Sequence, residues 1–275
     1  MIKDIVVNLG LGAQDPAGEY AVSLGEVFEA HVLGIAVSYE PVIPGTVMGG
    51  IPPEIIESQR AESNTKARTA IARFEEAAKR AGISSETRTI SASISGAADQ
   101  IGRIGRRFDL VVVGQPSQQK SMPDEVVDEG VLFESGRPVI FVPFIHRGGV
   151  KLERVIICWN GSRVAARAVA DSLPLLKKAR QVEIVIISDK PGKPDELPGA
   201  DLGAHLARHG FKVDIKRITS PDIDVASTIL SYAADSDADM IVMGGYGHSR
   251  LREFVLGGAT RGLLESMTVP VLMSH

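Results

Sequence analysis

A glycine-rich segment, residues 244–260, has the residue types and spacing of an anion-binding loop. Two residues separate Gly244 from Gly247, and nine residues separate Gly247 from Gly257. Glycine permits sharp turns and lets the backbone approach an anion closely. An apolar run at 240–243 precedes the segment and an amphipathic stretch follows it, so the order is strand, loop and helix start. Because N–H groups at a helix N-terminus point towards bound anions, this order predicts a phosphate cradle.

The spacing matches neither the Walker P-loop nor the dinucleotide-binding fingerprint. The segment also lacks the lysine that P-loop enzymes place against the phosphates. It therefore predicts a mononucleotide held mainly by backbone groups.

Composition limits the classes of protein that the chain can represent. Its 275 residues are enough for two domains, and its net charge of -4 does not favour nucleic-acid binding. No apolar run reaches the roughly 18–20 residues that span a bilayer, and the first residues lack a secretory signal. The one cysteine, Cys158, excludes an intrachain disulfide framework and a multi-cysteine metal site. We expect a cytoplasmic protein without membrane or nucleic-acid partners.

Apolar runs and helical periodicities alternate along the second half of the chain. A helix start is predicted at Ser220-Pro221-Asp222, with a cap, a proline at the first position and an acid in the first turn. Alternation of strands and helices predicts a doubly wound parallel sheet, which binds ligands at the carboxyl ends of its strands. The predicted strands are residues 154–159, 182–187, 211–218, 240–243 and 269–273.

The first half of the chain repeats this plan. An irregular stretch at Ser38–Pro53, whose role the sequence does not specify, separates the second strand from a long helix predicted from about Glu54 to Arg80. The repetition predicts two tandem domains, residues 1–145 and 151–275. The strands predicted in the first domain are residues 4–9, 30–37, 87–91, 109–114 and 138–142.

The two loops that follow the fourth strands are not equivalent. In the first half Ser117 replaces the second glycine, and Pro116 and Pro123 each remove a backbone donor. Acidic residues that would repel a phosphate follow at the start of the next helix: Asp124, Glu125, Asp128 and Glu129. We expect the first domain to have lost its site.

These motifs give the chain a resemblance to a known family. Its second half resembles the universal stress protein family, and the whole chain resembles the tandem form of that family. The match runs through Gly244, Gly247 and Gly257 and fails at Gly258, where the family's nucleotide binders carry a serine or threonine. The resemblance implies two tandem doubly wound α/β domains, each with a five-stranded parallel sheet, of the adenine-nucleotide α-hydrolase-like fold.

The resemblance also implies which residues would line a nucleotide site. Asn160 stands where the family usually has an aspartate, and Gly258 lacks the expected hydroxyl, which Thr260 could supply from further into the helix. We expect binding to be weaker by about tenfold, roughly 1.4 kcal/mol. The residues implied are Cys158, Trp159, Asn160 and Ile187 around base and ribose, Met243 and Gly244 at the pocket floor, and Gly247, His248, Gly257, Gly258, Ala259 and Thr260 around the phosphates.

The function implied is binding of an adenine nucleotide, ATP or else AMP or ADP, by a stress-response or signalling protein. Mg²⁺ could accompany ATP, hydrolysis would be slow at most, and no catalytic residue is predicted. His205, His209 and His275 are too scattered in the sequence to predict a metal site. Two alternatives stay open: a protein-interaction module with an empty pocket, and an ATP-using hydrolase or adenylating enzyme.

The resemblance further implies how the two halves join. In the family the last strands of two domains pair antiparallel. Val139–Val142 would therefore pair with Val271–Met273, making an intramolecular pseudo-dimer, and a homodimer could form in addition.

Overall fold

A computed structural model of the chain describes residues 1–41, 52–116, 124–188, 199–219, 224–246 and 258–275. The chain separates into two compact units. The first contains Met1–Arg137 and Arg147–Val150, and the second contains Pro138–His146 and Lys151–His275.

The first unit alternates strands with helices. Its strands are parallel and lie in the order β3-β2-β1-β4, so the chain winds to one side of β1 and then returns to its other side. β1 and β4 are runs of buried aliphatic residues, as expected for strands covered on both faces. The elements are β1 (Asp4–Asn8), α1 (Pro16–Phe28), β2 (His31–Tyr39), α2 (Pro53–Ala81), β3 (Ser85–Ala92), α3 (Ile94–Gly105), β4 (Leu110–Gly114) and α4 (Asp124–Ser135).

The second unit repeats this winding and adds two strands. Its order is β5-β10-β9-β6-β7-β8, with every neighbouring pair parallel except β5 and β10. The elements are β5 (Val139–Val142), β6 (Arg154–Cys158), α5 (Arg163–Leu176), β7 (Gln181–Ser188), α6 (Ala200–Arg208), β8 (Val213–Thr219), α7 (Val225–Asp235), β9 (Met240–Gly244), α8 (Ala259–Ser266) and β10 (Val271–Ser274).

An aspartate fixes the same strand pair in each unit. Asp109 lies just before β4, and its carboxylate accepts hydrogen bonds from the backbone N–H groups of Lys3 and Asp4, at 2.7 and 3.1 Å. Asp239 lies just before β9, and its carboxylate accepts the N–H of Arg154 at 2.9 Å. Since these donors stand at the starts of β1 and β6, both aspartates set the register of neighbouring parallel strands.

The predicted antiparallel pairing of the two last strands is present. Phe141 lies opposite Val271, Ile140 opposite Leu272 and Val139 opposite Met273. All residues of both strands are buried. Although β5 is the last strand of the first repeat in sequence order, it belongs to the second unit.

The helix start predicted at Ser220-Pro221-Asp222 lies outside the described residues. Helix α7 begins at Val225, after Asp224, whose carboxylate accepts the Ser227 N–H at 3.0 Å. A carboxylate that satisfies a first-turn N–H is an effective N-cap, so Asp224 sets the start. Helix α5 contains Pro174 and continues to Leu176.

Helix α2 is long but polar. It spans 29 residues, and only Ala67, Ala70, Phe74 and Ala78 are buried. No helix within the described ranges is both long and apolar enough to cross a membrane.

Truncating the buried Phe141 should destabilise the second unit. Removal of a fully buried phenylalanine side chain costs about 3–5 kcal/mol through lost burial and the cavity left behind. We therefore expect Phe141→Ala to lower the free energy of unfolding by about that amount in urea denaturation. Ile145→Ala, at a side chain that is 52% exposed, is the control. An equal cost in both variants would contradict the packing role of β5.

Candidate functional site

The site is built where the winding of the second unit changes direction. From β6 the chain proceeds to β7 on one side, whereas β9 lies on the other side, and all three strands are parallel. Their carboxyl ends therefore share one edge of the sheet. In doubly wound sheets ligands bind at this edge, in the crevice where the strand order reverses. At this edge Trp159 and Asn160 follow β6, and Gly244 ends β9.

The turn after β6 is held by its own side chains. Asn160 Oδ1 accepts the N–H of Ser162 at 3.0 Å, and Gly161 between them has a φ of 72°, which favours glycine. Ser162 caps α5 by accepting the N–H of Ala165 at 3.2 Å. Since the Asn160 oxygen already accepts this hydrogen bond, the exposed side chain offers its amide nitrogen, a donor, to a ligand.

Gly244 lets β9 approach helix α5 closely. A Cβ atom at this position would lie 2.5 Å from the Ala165 nitrogen and 2.6 Å from the Val164 carbonyl carbon. No side chain fits in that space. The glycine that opens the loop therefore has a packing role against the first turn of α5, beside any contact that it makes to a ligand.

Both ends of the glycine-rich segment are anchored. Gly245 donates its N–H to Ser274 O at 2.9 Å, and the ring Nδ1 of His275 lies 3.2 Å from Gly245 O. Tyr246 has a φ of 51° and donates its N–H to Thr260 Oγ1 at 3.2 Å. Thr260 is buried in the first turn of α8. The backbone on the two sides of residues 247–257 is thus joined by one hydrogen bond.

The start of α8 has no side-chain cap. Gly258 is the N-cap residue, with φ −58° and ψ 143°, and Ala259 and Thr260 begin the helix. The first N–H groups of a helix lack intrahelical acceptors, and the helix dipole adds positive potential there. This N-terminus can therefore receive an anion.

The remaining predicted residues differ in accessibility. Cys158, Trp159 and Ile187 are half-buried, and Met243 is buried. Burial raises the pKa of the Cys158 thiol to about 12, so this cysteine is neutral and a poor nucleophile near neutral pH. Gly247, His248 and Gly257 lie outside the described residues.

Comparison with protein families identifies the second half of the chain. The model of the universal stress protein family matches residues 151–275. In this segment the chain is similar to the universal stress protein family. It contains α5 to α8 and the five strands β6 to β10, including the crevice between β6 and β9.

Individual relatives extend the likeness to the first half. A universal stress protein from Synechocystis is 23% identical over 181 residues, which are 60% of this chain and 57% of that protein. The match thus spans less than two thirds of that relative. The structure of a universal stress protein from Archaeoglobus fulgidus DSM 4304 is 20% identical with a TM-score of 0.75, and covers 98% of this chain and 95% of its own. A Pseudomonas aeruginosa UCBPP-PA14 structure is 15% identical with a TM-score of 0.58, covering 99% and 93%. The two structures show a common fold through both units.

The first unit fills the corresponding position with its own side chains. Asn8 ends β1, as Cys158 ends β6 in the second unit, and it donates from Nδ2 to Asp128 Oδ1 at 2.9 Å. Both side chains are buried. A Cβ atom added at Gly114 would lie 3.7 Å from Oδ2 of Asp128. The sequence indicated Asp128 as a charge that repels phosphate, and the structure gives it this packing role as well.

In the first unit Arg73 is hydrogen-bonded to the loop after β1, a contact that the sequence did not predict and that we call the Arg73 clamp. Arg73 of α2 donates to the carbonyl oxygens of Gly12 at 2.8 Å and Gly10 at 2.7 Å. Asp15 is buried, its carboxylate accepts the Gly18 N–H at 3.0 Å, and desolvation raises its pKa. The sequence feature that could have indicated this role is the position of Arg73 next to Phe74, on the packed side of α2. The clamp fixes the loop after β1 without a ligand.

Adding a methyl group at Gly244 should destabilise the second unit. Gly244→Ala forces β9 away from α5, and overpacking of this kind costs about 1–3 kcal/mol. Urea denaturation measures the change. Gly12→Ala is a matched control because its nearest neighbour, the Gln14 carbonyl oxygen, is 3.8 Å from the new Cβ. Equal stability of Gly244→Ala and the wild type would refute the packing role.

Removing the buried carboxylate of Asp128 should destabilise the first unit. Asp128→Ala leaves the Asn8 amide without its acceptor, which costs about 1–3 kcal/mol. Replacing both groups together, in Asn8→Leu/Asp128→Leu, should recover part of that loss because no buried polar group is then left unpaired. The free energy of unfolding of the three proteins tests this. A double variant less stable than Asp128→Ala would count against the interpretation.

Proposed function

We propose that the second unit binds an adenine nucleotide, ATP or else AMP or ADP, and that the chain works as a nucleotide-responsive protein of the stress response. The observation that carries the proposal is the reversal of strand order between β6 and β9, as at the ligand crevices of doubly wound folds. The start of α8 is joined to the end of β9 at this edge through the hydrogen bond from the Tyr246 N–H to Thr260 Oγ1.

The site divides into parts that suit the parts of a nucleotide. Trp159 and Ile187, both half-buried, would lie against the base, and the exposed Asn160 amide would donate to an oxygen of the ribose. The backbone N–H groups at the uncapped start of α8 would receive the phosphates, together with the glycine backbone of residues 247–257. Mg²⁺ would enter with ATP.

Hydrogen bonds hold the described residues on both sides of the segment 247–257. Tyr246 and Thr260 are joined by one, and Gly245 is bonded to β10. Flanking residues that are already fixed lose less conformational entropy when a ligand binds. Because the Thr260 hydroxyl oxygen accepts the Tyr246 N–H, its role would be to hold the loop while the backbone contacts the phosphates.

The proposal includes a stoichiometry of one nucleotide per chain. In the first unit Asp128 occupies the end of β1, and Arg73 ties the loop after β1 to α2. A buried carboxylate at that position disfavours a phosphate on electrostatic grounds. The repeats 1–145 and 151–275 would thus have diverged into a supporting half and a binding half.

Titration of ATP, ADP and AMP into the full chain tests the function directly. Calorimetry should give one site per chain for at least one of the three, and mass spectrometry of freshly purified protein should detect a retained adenine nucleotide. Absence of binding by all three would overturn the proposal and favour an interaction module. Steady ATP turnover would instead favour an ATP-using enzyme.

Restoring a hydroxyl at position 258 should strengthen binding. A charge-assisted hydrogen bond to a phosphate is worth about 1.5–3 kcal/mol, so Gly258→Ser should lower the dissociation constant by about tenfold or more. Gly258→Ala adds the Cβ atom without the hydroxyl. It therefore measures the effect of a stiffer backbone on affinity without the effect of the hydrogen bond. If serine and alanine change the affinity equally, the phosphate is not held at this helix start.

A further inference from the structure

Two histidines at the C-terminal end of α6, distant from the crevice residues in sequence, lie side by side on the surface. His205 is in the last turn, and His209 is the residue that caps it. His205 and His209 are both exposed, and their ring centroids are 4.7 Å apart with an interplanar angle of 61°. Residues four apart on a helix project from the same face. The two rings are therefore neighbours through the helix geometry itself.

The backbone that carries these rings is fixed from the other side. Leu202, Gly203 and Leu206 of α6 are buried against the unit. The His209 N–H bonds to the carbonyl oxygens of His205 and Leu206 at 3.3 and 3.0 Å, so the last turn is closed. The spacing of the rings is thus set before any ligand arrives, and only side-chain rotation is needed to aim both at one atom.

The chemistry of the pair favours a metal cation. In the described part of the chain neither ring makes a side-chain hydrogen bond or ion pair, so the ring nitrogens are open to a ligand. Neutral imidazole is a preferred ligand of Zn²⁺, Cu²⁺ and Ni²⁺, and two histidines at this spacing form the pair used by helical zinc motifs. The site lies at a helix C-terminus, where the macrodipole favours positive charge.

We propose that His205 and His209 form a two-histidine surface site for a divalent transition-metal cation of the Zn²⁺, Ni²⁺ and Cu²⁺ class. No cluster of three histidine, cysteine or acidic ligands occurs among the described residues. Water completes the coordination, so the cation is exchangeable and exposed. The exposed Asp201, one turn before His205, adds favourable charge, while the neighbouring Arg208 opposes it. This site is independent of the nucleotide proposal.

Zinc chloride titrated into the reduced full-length chain tests the site by calorimetry. The wild type should bind one Zn²⁺, and His205→Ala and His209→Ala should each weaken binding at least tenfold, because one imidazole gives no chelation. Both rings are exposed, so neither substitution should disturb the fold, which circular dichroism checks.

A register control separates chelation from the number of histidines. The double variant His209→Ala/Ala207→His keeps two histidines on α6 but places them two residues apart, on different faces. It should bind as weakly as His209→Ala. Wild-type affinity in either single alanine variant, or in this register control, would overturn the proposal.

Discussion

The parallel pairing of β6 with β9 is the constraint on which the candidate site depends. Val155 lies opposite Met240, Ile156 opposite Ile241 and Ile157 opposite Val242. These residues are buried, and the bond from the Arg154 N–H to Asp239 holds the first position of the ladder. Slippage of the register would move apolar side chains off the core and separate the two strand ends. Burial of the apolar strand residues thus fixes the positions of the polar groups at the strand ends.

The two units share one order of strands and helices but differ in the contacts at the carboxyl ends of their strands. Each uses an aspartate before its fourth strand to set the register, and each reverses its strand order at the same place. They differ at the edge where a ligand would bind. In the first unit an Asn8–Asp128 bond and the Arg73 clamp satisfy polar groups internally. In the second unit the start of α8 has no side-chain cap. Groups satisfied within the chain have less to gain from a ligand, which is the physical basis for proposing that binding belongs to the second unit.

Side-chain contacts give two of the predicted site residues further roles that the sequence did not reveal. Gly244, expected at a pocket floor, proves to be where β9 approaches α5 too closely for any side chain. Thr260, considered as a phosphate ligand, is buried and accepts the Tyr246 N–H. In both cases the contact partner lies elsewhere in the chain.

The sequence by itself determined the alternation of strands and helices, the repetition of the unit, the glycine spacing at 244, 247 and 257, and the pairing of Val139–Val142 with Val271–Met273. These follow from local periodicity, from the turn preferences of glycine and proline, and from the family resemblance. Only the tertiary structure decided that Asp128 is buried against Asn8 and that β5 belongs with the second unit. These features depend on contacts between residues that are far apart in the sequence. Packing and desolvation in the folded chain decide which of those contacts are favourable.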